Sequence, residues 1–256
     1  MKKAFIFPIC IILFCTSCGT SKILKESIST GEYEKVMETD NFIYYSDQQD
    51  MQVIHDIDEA LEANCSQILL NLECKYDEKI TVELYHDQKS YDENLSDKSV
   101  TGSPACSGNK TIKLVSPKYP IKVSGISYEE RIDMAIHEYV HLLVDEINDM
   151  APVWLDEGIA CYEGSRDLYN EFSRFAFPQL SEINLIELEG TYYKIQAADV
   201  YSYSAVRFII EVYGYEKFNR LLRKPSDMEE ILMIDKDEFS LEWNSFIQEN
   251  YRDSAK

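Results

Sequence analysis

Apolar residues recur every three or four positions along residues 128–147, where Ile132, Ile136, Val140 and Leu143 form one stripe. That period belongs to a helix with a single buried face. Ser127 and Glu130 stand at its start with the spacing of a capping box, which satisfies two backbone donors at a helix entry. No Gly or Pro interrupts Ser127–Met150. The pattern predicts a helix over about 128–147 and a turn near Asn148-Asp149. Pro152 and Gly164 then bracket a second helix, Pro being favoured at the first position and Gly at the stop.

The same reading predicts the other elements. Ile54, Ile57, Leu61 and Ile68 give a helix over 51–72. NFIYYS at 41–46, KITVELY at 79–85 and TIKLV at 111–115 read as strands. The polar stretch 87–110 reads as a helical turn and a loop. Beyond Gly164 the pattern predicts a helix at 166–176, a strand at 184–188 and a helix at 201–213 that stops at Gly214. Further helices follow at 215–223 and within 227–251. The fold class is α+β: a small mixed sheet packed on the 128–147 helix, then a mainly helical part from about residue 165.

The chemistry lies on the first helix. It carries His137-Glu138-Tyr139-Val140-His141, the H-E-x-x-H arrangement. Residues four apart share a helix face, so His137 and His141 can aim their rings at one ion. Glu138, one position on, reaches a water on that ion as a general base. With about 1.5 Å of rise per residue, His141 lies about 9 Å before the end of its helix. Glu157 lies about 7.5 Å into the next helix, at similar height, and is placed as the third ligand. Two His and one Glu leave a fourth position open, as in a catalytic zinc site.

His137-Glu138-x-x-His141 followed by Trp154-Leu155-Asp156-Glu157-Gly158-Ile159-Ala160 resembles the gluzincin zinc metallopeptidases, whose second motif reads W-L-x-E-G-x-A. The resemblance implies a zincin-like catalytic domain over 39–256 and one Zn2+ held by His137, His141 and Glu157. Its activity would be peptide-bond hydrolysis with Glu138 as general base. It also implies that the strand at 111–115 forms the rim of the substrate cleft, with an ordinary sheet strand as the alternative. Tyr201-Ser202-Tyr203-Ser204 is similar to the segment opening the helix after the pocket loop in small relatives. Tyr201, or else Tyr203, then donates to the developing oxyanion; in a chain with 18 Tyr a packing role is the alternative. The alternative function is a zinc-holding surface module whose peptidase activity is lost or latent. The missing G-x-M-E-N-like motif leans away from aminopeptidase action.

Several residues near these positions carry two readings. Cys161, one turn past Glu157, either approaches the ion or packs in the core. Asp145, one turn past His141, either orients that imidazole or faces solvent. His55 and His86 read as surface or capping residues.

Charge and the N-terminus add location. With 46 acidic and 25 basic residues, the net charge of −21 disfavours nucleic acid and anionic lipid as partners. The resemblance implies a peptide or protein substrate, and the chain is expected to be a monomer. Lys2 and Lys3 precede an apolar run from Ala4 to Cys15, too short to span a bilayer and suited to a signal peptide over 1–17. Thr16-Ser17-Cys18 resembles the end of a bacterial lipoprotein signal, with Cys15 departing from the usual Leu. That resemblance implies a lipid on Cys18, a flexible tether over 18–38 and a place outside the cytoplasmic membrane. Cleavage without a lipid is the alternative, giving a secreted protein. Export would permit disulfides among Cys65, Cys74, Cys106 and Cys161, with Cys106–Cys161 as one pairing and free thiols as the alternative.

Overall fold

A computed structural model of the chain describes residues 33–46, 50–96, 101–119, 127–164, 188 and 198–251. Five strands form one sheet: β1 (Glu34–Glu38), β2 (Phe42–Ser46), β3 (Ile80–Tyr85), β4 (Ala105–Gly108) and β5 (Thr111–Val115), in the order β1-β2-β3-β5-β4. β2, β3 and β5 run parallel, while the outer strands β1 and β4 are antiparallel to their neighbours. Helix α1 (Met51–Asn71) makes the crossover from β2 to β3, and α2 (Gln88–Glu93) is the short turn after β3. Alternation on the strands is as expected: Phe42, Tyr44, Ile80, Val82, Ile112 and Leu114 are buried on one face against Val53, Ile57 and Leu61 of α1.

The sheet departs from the sequence reading at both edges. Residues 34–38, expected within a tether, form β1, so the tether reading does not hold past Tyr33; residues 18–32 lie outside the described ones. EKVME carries no alternation, because this edge strand is mostly exposed. Residues 105–108, expected as loop, form β4, which pairs with β5 and is the last strand of the sheet on that side among the described residues. ACSG is too short and too small in side chains to register as a strand. A two-residue turn joins the pair, with Asn109 and Lys110 both at positive φ, as a tight hairpin requires. The rim role given to 111–115 is therefore corrected: β3 and β4 occupy both edges of β5, and a substrate strand has nothing there to pair with.

Helix α3 (Tyr128–Asn148) begins at the capping box, where Ser127 Oγ accepts from Glu130 N at 3.1 Å and Glu130 returns a bond to Ser127 N. It is buried along nearly two of its faces, because the sheet and α1 lie on one side and more helices on the other. Its Arg131 is only 6% exposed and has no carboxylate bonded to it among the described residues. Its guanidinium donates to the carbonyls of Pro117 at 2.9 Å, Tyr119 at 2.6 Å, Ser116 at 2.8 Å and Val115 at 3.4 Å. One side chain thus ties the end of β5 to the start of α3. Burial pulls its pKa down to about 10, still well above neutrality. Arg131→Ala would remove the donor from these carbonyls; Ser116 O keeps Tyr119 N at 2.9 Å, and each buried carbonyl left unpaired costs about 1–3 kcal/mol. The expected loss of folding stability is at least about 3 kcal/mol, read from the urea midpoint.

After a turn closed by Ala151 N to Asn148 O at 3.0 Å, α4 (Val153–Gly164) starts one residue past Pro152 and packs back along α3. Helix α5 (Ala198–Phe208) packs on α4 and runs into a π-helical turn at Ile209–Tyr213. Gly214, at φ +84°, marks the break before α6 (Gly214–Arg223). A 3-10 turn at Pro225–Asp227, α7 (Met228–Leu232) and α8 (Lys236–Tyr251) complete the described chain. Trp243 of α8 donates to Ser204 Oγ of α5 at 3.1 Å, and Phe208 and Phe239 meet at 5.2 Å. The helical part therefore shares one continuous core with α3 and α4. The helix expected at 166–176 lies outside the described residues, as does the strand at 184–188 apart from Leu188, which is buried. So do residues 1–32, including Cys18. No described helix is long and apolar enough to cross a membrane.

Cys65, Cys74, Cys106 and Cys161 are all thiols, and the Cys106–Cys161 pairing is not formed. The two sulfurs belong to different places: Cys161 is in the main core, and Cys106 packs with Tyr85, Tyr91 and Val115 in a separate small cluster.

Candidate metal centre

The helical hairpin α3–α4 brings together three of the residues singled out in the sequence. His137, His141 and Glu157 are 2%, 5% and 2% exposed, so water does not compete freely for their lone pairs. His137 Nε2 and His141 Nε2 lie 3.0 Å apart; Glu157 Oε2 is 3.5 Å from the first and 3.7 Å from the second. A tetrahedral ion with ligands at about 2.0–2.2 Å separates them by about 3.3–3.6 Å. Glu157 Oε2 is buried with no hydrogen-bond donor among the described residues, and neither has Glu138 Oε2. Two buried carboxylate oxygens without donors call for a cation or ordered water. The donor set, its spacing and these orphaned oxygens fit a metal ion.

The electrostatics follow from burial. Desolvation raises the Glu157 pKa to about 7 against the pull of His141. His137 is pushed down to about 4, first by burial and then by His141, with Asp199 of α5 among the carboxylates that oppose the fall. Burial also lowers His141, but Asp156 and Glu157 more than offset it and hold the imidazole well above its usual value. Glu138 is raised by burial, and His141, His137 and the Ser107 side chain of β4 counter this only in part.

Asp156 was not singled out in the sequence. Its Oδ1 lies 2.6 Å from His141 Nδ1. The ring spans two adjacent carboxylates, Asp156 through Nδ1 and Glu157 through Nε2, and a proton on Nδ1 leaves Nε2 as the ligating lone pair. The signal was available: Asp156 stands next to Glu157 on the helix that packs back along the first. Asp145 is exposed, the solvent-facing one of its two readings, and the contact to the imidazole is made by Asp156. Asp156→Asn is expected to weaken divalent-metal binding about 10- to 100-fold, measured by competition with a chromophoric chelator.

The remaining candidates are placed as follows. Tyr201 is buried at 1% exposure on α5, the helix packed on α4. Tyr203 is half-buried with its ring 6.1 Å from that of Tyr162, and its charged neighbours are Arg207 and Glu211 rather than the triad. Cys161 is fully buried in the main core and is outside the three-residue group. His55 is exposed, and His86 bonds Tyr33 and Asp87 and is outside the three-residue group. Comparison with known protein families finds no match for this chain, and comparison with curated proteins finds none either.

Proposed function

We propose that this protein is an exported zinc metallopeptidase of the gluzincin type. The observation that carries the reading is the convergence of His137 Nε2, His141 Nε2 and Glu157 Oε2 within 4.8 Å, with Glu138 buried beside them. Supporting it are the mixed sheet beside the H-E-x-x-H helix and the antiparallel edge strand β4 packed near that helix. In this reading the fold is zincin-like, and His137, His141 and Glu157 hold one Zn2+. When bound, zinc polarises a carbonyl and makes a water acidic near neutral pH.

The chain's own residues do the rest. Glu138 accepts a proton from the attacking water as it adds to the peptide carbonyl, then delivers it to the leaving nitrogen, so that one water is consumed and an acid and an amine result. A carboxylate raised by burial is the better base, and holds the proton more readily until the amine takes it. Asp156 keeps His141 in the ligating tautomer. Tyr201 donates to the oxyanion. A lipid on Cys18 tethers the enzyme outside the cytoplasmic membrane, where peptides and proteins are its substrates.

The test is cleavage profiling with a diverse peptide library. The purified chain is expected to yield defined products, to lose that activity to a zinc chelator and to regain it with added Zn2+. No cleavage by zinc-loaded protein across the library would end the peptidase reading.

A further inference from the structure

Gly164 has no φ that requires glycine; the structure uses its missing side chain instead. A Cβ there would stand 2.7 Å from His137 N, 2.8 Å from His137 Cα and 3.1 Å from His137 Cβ. The first two are inside van der Waals contact with backbone, which cannot swing aside. α4 thus touches α3 at the residue that bears the first imidazole.

Helix geometry ties this contact to the other side of the site. Gly164 lies about two turns beyond Glu157, which returns it to the same face of α4. One face of one helix therefore presents the ligating carboxylate and, farther along, the bare backbone that seats His137. The helix end is also held from outside. Glu163, next to Gly164, accepts from Tyr215 Oη of α6 at 2.6 Å and from Asn71 Nδ2 at the end of α1 at 3.0 Å. α6 is fastened to the end of α1 as well, through Asn219 Nδ2 to Asn71 O at 2.8 Å and Arg223 to the carbonyls of Leu72 and Glu73. Three elements fix where α4 ends.

We infer that Gly164, anchored through the Glu163–Tyr215–Asn71 cluster, is a positioning residue that sets His137 and Glu157 at ligating distance. This rests on the metal-centre reading above. A side chain at 164 pushes α3 and α4 apart where His137 sits, and three ligand atoms cannot then close on one ion. Loosening the anchor lets the helix end drift in the same sense.

The test measures Zn2+ affinity by chelator competition and the visible spectrum of the Co2+-loaded chain, for wild type, Gly164→Ala and Tyr215→Phe. Thermal melting of the metal-free proteins runs alongside. Gly164→Ala is expected to bind Zn2+ at least about 10-fold more weakly, the scale of losing a ligand's outer support, with an altered Co2+ spectrum. Tyr215→Phe is expected to shift both readouts the same way and by less. A glycine needed only for packing would lower the melting temperature and leave the folded protein's affinity and spectrum unchanged, and that result overturns the inference. If Gly164→Ala does not fold, Tyr215→Phe decides: weakened binding supports the inference, and wild-type affinity and spectrum overturn it. A wild type that takes up no Zn2+ overturns the metal reading and this inference together.

Discussion

Replacing Glu138 by Gln is expected to lower peptide hydrolysis at least about a hundredfold and as far as about 10,000-fold, with Zn2+ binding close to wild type. The split follows from geometry. Glu138 is 3% exposed beside the triad, but the three atoms that close on one another belong to His137, His141 and Glu157. Gln keeps the size and a carbonyl oxygen and loses the ability to take a proton. Removing the negative charge also relieves the burial that raises the Glu138 pKa, so the fold should tolerate the change. Rates on a peptide substrate, set beside zinc content for the same preparation, check both halves. Near wild-type turnover would rule out Glu138 as the base, and lost zinc would make it a ligand.

Glu157→Ala is expected to cost more in metal affinity than any neighbouring change. It removes one of three donors, so the loss should exceed the roughly 100-fold that an absent outer partner can cost. The metal-free variant should fold at least as well as wild type. Glu157 Oε2 is a buried carboxylate oxygen without a donor, and burial has already raised its pKa to about 7. An alanine removes that unfavourable group, though it leaves a small void. Chelator competition and thermal melting without metal separate the two effects. Unchanged affinity would show that the carboxylate is no ligand.

The parts of this molecule written in local pattern were legible in the sequence. The α3 stripe, its Ser127–Glu130 box, the Pro152 start and the strands at β2, β3 and β5 depend on neighbours within a few residues, and the structure places them within a residue or two. The triad was legible for a similar reason: a short hairpin makes the relative height of His141 and Glu157 a matter of counting. The edges of the sheet were not. β1 and β4 are short, and as edge strands they carry no alternation of burial to read. Arg131 looked like a surface charge on a helix, because nothing local reveals that four carbonyls of the preceding loop turn towards it. Gly164 was read as a helix stop, and its closeness to His137 is a property of two packed helices rather than of either sequence. Asp156 lay in plain view beside Glu157 and was not singled out, while Asp145 faces solvent, one of the two readings its helical spacing allowed.

The most direct measurement is metal content. The chain would be stripped of metal, dialysed against Zn2+ and analysed, with Glu157→Ala and His141→Ala treated in parallel. The one group of convergent donors among the described residues predicts about one zinc per wild-type chain and little or none in either variant. A wild type that emerges without zinc, or variants that hold as much as it does, would contradict the account.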